Sequence, residues 1–496
     1  MERKMSEHKK SGYGSLAFRA SLVKDKDVRM PEMLLGYFIG PMGGLLSSGI
    51  FTSILNTYFT DVLKLDLTFL TTLQLISTIF IVAANLVVGQ LIERTRALEG
   101  KARPWILLSA LTLSVASVLM FVVPFEGTGK MVWIAIAYNL YYSAAYPVYN
   151  TANSTLVAVS TRDSDQRGKL ASFTNIAGLA AMGAGSMVFP VLVSFALKEN
   201  QALWFTAMLA VGILTALTVF LQYKFTRERV TEERMKNADA SDEKNDSKTV
   251  SMSAQFKAVA TEKWWWVVMI FYLIFQFSGA IKNGSMSYFC KWVLDNSAMG
   301  ADAWGTYQSI LAIMGAIPMA VAMLFVNSLC QKFGKRLTIS AFLVLGAAGG
   351  VIAGLGGSSI VPVAVGVALK CLGSSPACYM ILAMLADVID HIEWKTGLRT
   401  DGLTMSIYSS LMVAASPVMN AVFSAILRGV GYDQELVVGM DAQSAFSRAG
   451  ISFSYIWVET IAYVICAVLI FVCFRVEDHL KVEQDEIAER NRRKTA

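Results

Sequence analysis

Twelve apolar runs follow one another along this chain, each long enough to cross a bilayer as an α-helix, and no other feature narrows its fold as much. They occupy residues 33–59, 67–92, 104–124, 131–158, 170–196, 203–223, 264–292, 304–329, 337–356, 360–388, 402–430 and 451–474. A core helix of a soluble protein can be as apolar as any one of them, but twelve in succession leave no polar face to meet water. The composition agrees, with 55% of residues hydrophobic, 16% charged and a mean hydropathy of +0.50. The expected fold class is an all-α membrane protein of twelve transmembrane helices, numbered here in chain order. The net charge of +6 is a matter of placement, since Lys and Arg collect at the ends of the runs and form no nucleic-acid-binding patch. Cys290, Cys330, Cys371, Cys378, Cys466 and Cys473 lie in or beside apolar runs without metal-site or redox spacing, and read as packing residues. Nothing in residues 1–32 has the apolar core of a cleaved signal peptide.

Charge placement orients the runs, because cytoplasmic loops hold an excess of Lys and Arg. Arg94, Arg96, Lys101 and Arg103 follow helix 2, Arg162, Arg167 and Lys169 follow helix 4, and Lys332, Lys335 and Arg336 follow helix 8. Lys64, Lys130 and Lys198 stand alone in the opposite loops. The domains expected are a cytoplasmic segment 1–32, a six-helix half 33–223, a cytoplasmic linker 224–263, a second half 264–474 and a cytoplasmic tail 475–496. The polar, charge-mixed stretch 231–249 reads as a tether. Gly100-Lys101 and Gly334-Lys335-Arg336 echo one another after the second helix of each half. Both termini fall in the cytoplasm of a cell (inner or plasma) membrane on this reading.

Two loops carry long motifs. One is Glu99-Gly100-Lys101-Ala102-Arg103-Pro104-Trp105-Ile106 after helix 2; the other runs from Asp387 through Asp390, His391, Glu393, Trp394, Lys395 and Arg399 to Gly402 after helix 10. With Thr60-Asp61 and Arg167, they resemble the melibiose-permease-like glycoside-pentoside-hexuronide:cation symporters of the major facilitator superfamily. The resemblance covers nearly the whole chain. It implies two six-helix halves, a substrate site near the midplane between them, and sugar or glycoside transport by alternating access driven by sodium or protons. Asp387, Asp390 and Glu393 sit at a helix C-terminus, where carboxylates need cations such as Lys395 or Arg399. Asp387, Asp390, Glu393 and Arg399 are therefore candidates for a cytoplasmic gate, against a solvated anchoring loop as the alternative.

Inside the membrane the chain departs from that family. The helix 2 aspartates that hold its coupling cation match Ile81 and Asn85, and its galactoside-binding aspartates match Leu45 and Asn150. Its helix 11 lysine matches Val413, and its helix 5 arginine falls at Thr174 or Asn175. A sodium site of the family type is therefore not expected, and the coupling ion stays open. No metal or other cofactor is expected.

Polar residues at helical spacing mark faces that could meet a hydroxylated solute. Helix 1 offers Ser48, Thr52 and Asn56, helix 2 offers Gln74, Thr78 and Asn85, and helix 4 offers Asn139, Tyr146, Asn150 and Asn153. Such side chains also hold membrane helices together, at about 0.6 kcal/mol per bond. Ser48, Thr52, Asn56, Tyr146, Asn150 and Asn153 are the substrate-binding candidates here, with Lys282 and Lys370 from deep in helices 7 and 10. Glu459 on helix 12 is the candidate for proton coupling. Two lysines facing one cavity would repel each other when it is empty and favour an anion such as a hexuronide; alternatively Glu459 pairs with either lysine and makes the set structural. The function expected is secondary transport of a sugar or glycoside, with a lysolipid or other amphiphile transporter, or a transport-deficient sensor, as rivals. An enzyme is not expected, because no nucleophile, base and oxyanion set appears and His8, His391 and His479 lie outside the runs.

Overall fold

Helices are the only way an open chain this apolar can satisfy its backbone in lipid, and the described residues are built from them. The computed structural model describes residues 21–232 and 252–489, apart from Lys26, Arg96, Leu98, Arg162, Leu398, Arg399, Gly439, Met440, Asp441 and residues 480, 481, 484, 485, 487 and 488. Most of the expected segment 1–32 and tether 231–249, the end of the tail 475–496, and the gate candidate Arg399, thus lie outside the described residues.

The first six helices are α1 (Glu32–Val62), α2 (Leu67–Arg94), α3 (Arg103–Leu119), α4 (Gly127–Leu140 continuing through a wide turn at Tyr141–Ala145 into Tyr146–Ser160), α5 (Lys169–Leu197) and α6 (Gln201–Lys224). Then come α7 (Lys263–Trp292), α8 (Trp304–Phe333), α9 (Lys335–Leu355), α10 (Ile360–Thr396), α11 (Asp401–Gly429) and α12 (Ala445–Cys473). Among the described residues ten are long and apolar enough to span, and α3 and α4 complete the twelve expected places. Local chemistry sets their starts. Asp66 accepts from Thr68 N and Phe69 N ahead of α2, and Asn200 accepts from Ala202 N and Leu203 N at α6. At its far end α10 outruns its apolar run, because no residue stops it before Gly397, whose φ of 71° closes the helix. Its 37 residues make it about 56 Å long at 1.5 Å per residue. Asp390 and Glu393 consequently stand on its last helical turns and not in a loop.

Packing divides the chain into two compact units. The first holds the described residues up to Phe51, Ile79–Gly185 and those from Asn200 to the linker; the second holds Thr52–Thr78, Ser186–Glu199 and the described residues after the linker. The packing boundary therefore runs through α1, α2 and α5, while the halves read from sequence meet at the linker. In the first unit small residues let α1 approach its neighbours. Thr215 donates its hydroxyl to Gly43 O at 3.0 Å, and a side chain at Gly44 would overlap Tyr149. In the second, α9 and α10 pack so closely that a Cβ on Gly373 would lie 2.5 Å from Gly346 Cα. Trp265, Phe271, Leu343, Met384, Val388 and Ile470 fill the core beside that contact.

Candidate functional site

Helices α7, α10 and α12 place three charged side chains together inside the second unit. Lys370 Nζ lies 2.8 Å from Glu459 Oε2 and donates to the backbone carbonyl of Ile456 at 3.1 Å. Lys282 Nζ lies 3.4 Å from Glu459 Oε1. The Tyr463 hydroxyl also hydrogen-bonds Glu459, from one turn further along α12. So the carboxylate of the chain itself stands between the two lysines. The three are not equivalent. The Lys370 and Glu459 side chains are 2% and 4% exposed, whereas Lys282 is 17% exposed. With all three ionised, the cluster carries one surplus positive charge.

The polar stripes read from sequence separate into different surroundings. Ser48 hydrogen-bonds Tyr146 in the first unit, where Tyr146 stacks on Tyr141. Asn153 accepts from Gln222 Nε2 at 2.7 Å, and Gln222 accepts from the Tyr149 hydroxyl at 2.9 Å, which ties α4 to α6. Asn150 is half-buried on the same helix. Thr52 and Asn56 belong to the second unit. There Asn56 accepts from Gln74 Nε2 at 3.0 Å and lies near Gly284 of α7 and Asn420 of α11. A further group missed by sequence joins them, with Gln308 donating to Ser53 at 2.8 Å and accepting from Ser287 at 2.9 Å. On α2, Asn85 and Thr78 donate back to carbonyls of their own helix, at 2.8 Å each.

At the end of the second unit that carries the basic loops, Asp387 pairs with Lys335 at the start of α9, 2.5 Å away. Lys395, one of the two cations offered by the sequence as partners for Asp387, Asp390 and Glu393, pairs with Glu262 at 2.7 Å. His391 contacts Glu483 at 2.9 Å, and Trp394 donates to Glu486 at 2.7 Å. Asp390 and Glu393 share this helix end. Glu477 accepts from Lys335 N at 2.8 Å and Arg336 N at 3.1 Å, which caps α9. The first unit has the same device in Glu228, which accepts from Lys101 N, Ala102 N and Arg103 N at 2.7, 2.8 and 2.9 Å.

At its opposite end the second unit is pinned by an ion pair between Asp61 of α1 and Lys291 of α7. Thr60 donates to Asp61 at 2.7 Å, Tyr432 donates to it at 3.2 Å, and Lys291 lies 4.6 Å from the Trp304 ring centre. Burial and the Asp61 carboxylate hold the Tyr432 phenol well above its ordinary pKa, which keeps it a donor. Around this buried pair lie the exposed pairs Lys64–Glu435 at 2.5 Å and Lys198–Asp302 at 2.6 Å. Among the described residues no cluster of His, Cys, Asp and Glu is arranged to hold a metal ion.

Residues 36–478 match the family described as MFS/sugar transport protein. An isoprimeverose transporter of Lactiplantibacillus pentosus is 26% identical over 430 residues, which cover 85% of this chain and 84% of the relative. A glucuronide carrier protein homolog of Escherichia coli (strain K12) is 20% identical over 437 residues, 86% of this chain and 91% of the relative. Among solved structures, that of a nucleoside transporter superimposes with a TM-score of 0.61 at 11% identity, covering 90% of this chain and 100% of the other. That likeness is one of fold, the twelve-helix major facilitator arrangement.

Proposed function

The chain belongs to the MFS/sugar transport protein family, and from that premise we propose that it moves an anionic sugar or glycoside, of the hexuronide type, across a cell membrane by alternating access. It is a multi-pass membrane transporter and not an enzyme, as its family and its structural neighbour are. The observation that carries the substrate reading is the buried Lys282–Glu459–Lys370 cluster with its surplus positive charge. An uncompensated charge in the membrane interior costs roughly 2.5 to 3.5 kcal/mol on insertion scales, and a bound carboxylate would remove that cost. The relative named as a glucuronide carrier homolog supports the same class of solute. The basic loops support an orientation with both termini in the cytoplasm.

Two measurements test the proposal. Counterflow in proteoliposomes should be fastest with a methyl glucuronide, slower with the matching neutral glucoside and absent with lysophosphatidylcholine. Exchange of the lysolipid alone would replace the sugar reading with an amphiphile one, and exchange of none would favour a sensor. For the orientation, single cysteines in the linker 224–263, in a background without the native six, should react only from the cytoplasmic side. Labelling from outside intact cells would reverse it.

A further inference from the structure

The three charges of the buried cluster differ in what else they touch. Lys370 is enclosed and is held by two acceptors, Glu459 Oε2 and the Ile456 carbonyl. Lys282 reaches Glu459 Oε1 at the longer distance of 3.4 Å and is the most exposed of the three. Its side of α7 is also open. A Cβ built on Gly279, one turn earlier on the same face, would meet no atom within 4 Å. This opening lies on a different side of α7 from its exposed apolar stripe. That stripe is Trp266 and Ile270, and Gly279 lies about 180° round the helix from Ile270.

We propose that Lys282 is the residue that meets the carboxylate of the carried solute, and that Glu459, anchored by Lys370, is its resident competitor. The proposal rests on the anionic-solute reading above. In the empty protein Glu459 shares its two oxygens between the lysines. An arriving carboxylate takes Lys282 from the open side, and Glu459 keeps Lys370, so the cluster becomes two neutral pairs without moving its enclosed half. Lys370 is then a positioning residue that holds Glu459 in reach and keeps Lys282 only half-satisfied. A neutral sugar cannot cancel the surplus charge, and the site therefore selects for an acid.

The test uses purified full-length protein and equilibrium binding of labelled methyl glucuronide and methyl glucoside, with thermal unfolding as a check on folding. Lys282→Gln leaves the balanced Lys370–Glu459 pair and should fold, yet weaken uronide binding about 30-fold or more, as truncation of one buried charge partner does. Lys282→Arg keeps the charge and should retain binding. Lys370→Gln leaves Lys282 and Glu459 to neutralise each other and should also weaken the uronide. The double variant Lys370→Gln/Glu459→Gln frees Lys282 and should return binding to within about fivefold of the wild type, under 1 kcal/mol by the usual conversion. Wild-type uronide binding by Lys282→Gln, or a double variant as weak as Lys370→Gln alone, overturns the assignment. If the wild type binds the glucoside but not the uronide, the anionic reading fails and this inference with it. If it binds neither, the sugar reading itself fails.

Discussion

Glu228 and Glu477 do the same work in the two sequence halves, each following the sixth helix of its half and accepting backbone N–H groups at the start of the third. A helix start leaves N–H groups without partners, and a carboxylate there satisfies them and opposes the helix dipole. Gly100 and Gly334, with φ of 121° and 82°, bend the chain so that the N–H groups point at the carboxylate. Only the small side chain allows this at Gly100, where a Cβ would sit 2.4 Å from the Glu228 carboxyl carbon. Glu228→Ala should therefore cost about 2 kcal/mol and Glu477→Ala less, because the first satisfies three N–H groups and the second two. Thermal unfolding in detergent checks this. Equal and negligible shifts would mean that water replaces both caps.

The contact between α9 and α10 gives a contrast within one protein. Gly373→Ala would force a methyl to within 2.5 Å of Gly346 Cα and push the helices apart, at about 1–3 kcal/mol. Gly279→Ala meets open space, and alanine is the better helix former by about 1 kcal/mol. The melting temperature should fall in the first variant and hold or rise in the second. A fall in both would show that the face beside Lys282 is closed.

Asp61 and Lys291 make a conformational prediction. Their pair is largely buried and joins the end of α1 to α7, and removing one partner of such a pair costs about 3 kcal/mol. We predict that alternating access opens that contact in part of the cycle. Asp61→Asn should raise the reactivity of a cysteine placed at the buried Thr57 toward a membrane-impermeant maleimide added from outside, while Lys64→Gln, which breaks the exposed Lys64–Glu435 pair, should leave it unchanged. Unchanged labelling in Asp61→Asn would mean that the pair does not hold that end shut.

What could be read from sequence follows from how strongly a residue contrasts with its surroundings. The twelve helices are visible because apolar runs of this length in such succession leave no polar face to meet water, and Lys282, Lys370 and Glu459 stand out as charges inside such runs. The sequence leaves their partnership as one of two alternatives, since nothing in a linear sequence says that α7, α10 and α12 meet at the same depth. Glu228, Glu477 and Lys335 carry no mark in the sequence that identifies them as caps or partners. A charged residue just beyond a membrane helix looks like any solvated anchor, and Glu228 lies 126 residues from the Ala102 N–H that it caps. The stripe of Ser48, Thr52 and Asn56 was visible by spacing, but spacing could not show that Asn56 is engaged by Gln74 and Ser48 by Tyr146.

The last prediction concerns the coupling ion. A sodium ion in a membrane interior needs several oxygens in one place, with anionic ones to offset its charge. On α2 the positions that would supply carboxylates carry Ile81 and Asn85, and the Asn85 amide is turned to donate to Ile81 O at 2.8 Å. A carbonyl oxygen on Asn85 remains, but one neutral ligand cannot compensate a buried cation. Replacing sodium by potassium or choline at fixed pH should therefore leave initial uptake of the uronide unchanged. Saturable sodium dependence that is lost in Asn85→Ala would show that this helix holds the cation after all. For a proton we propose Glu459, the buried carboxylate between Lys282 and Lys370, as the exchange group. If proton movement drives uptake, an imposed inward pH gradient should accelerate it and collapse of that gradient by a protonophore should abolish the gain. Glu459→Gln should then exchange solute across the membrane at equal concentration but no longer accumulate it, which separates loss of coupling from loss of binding.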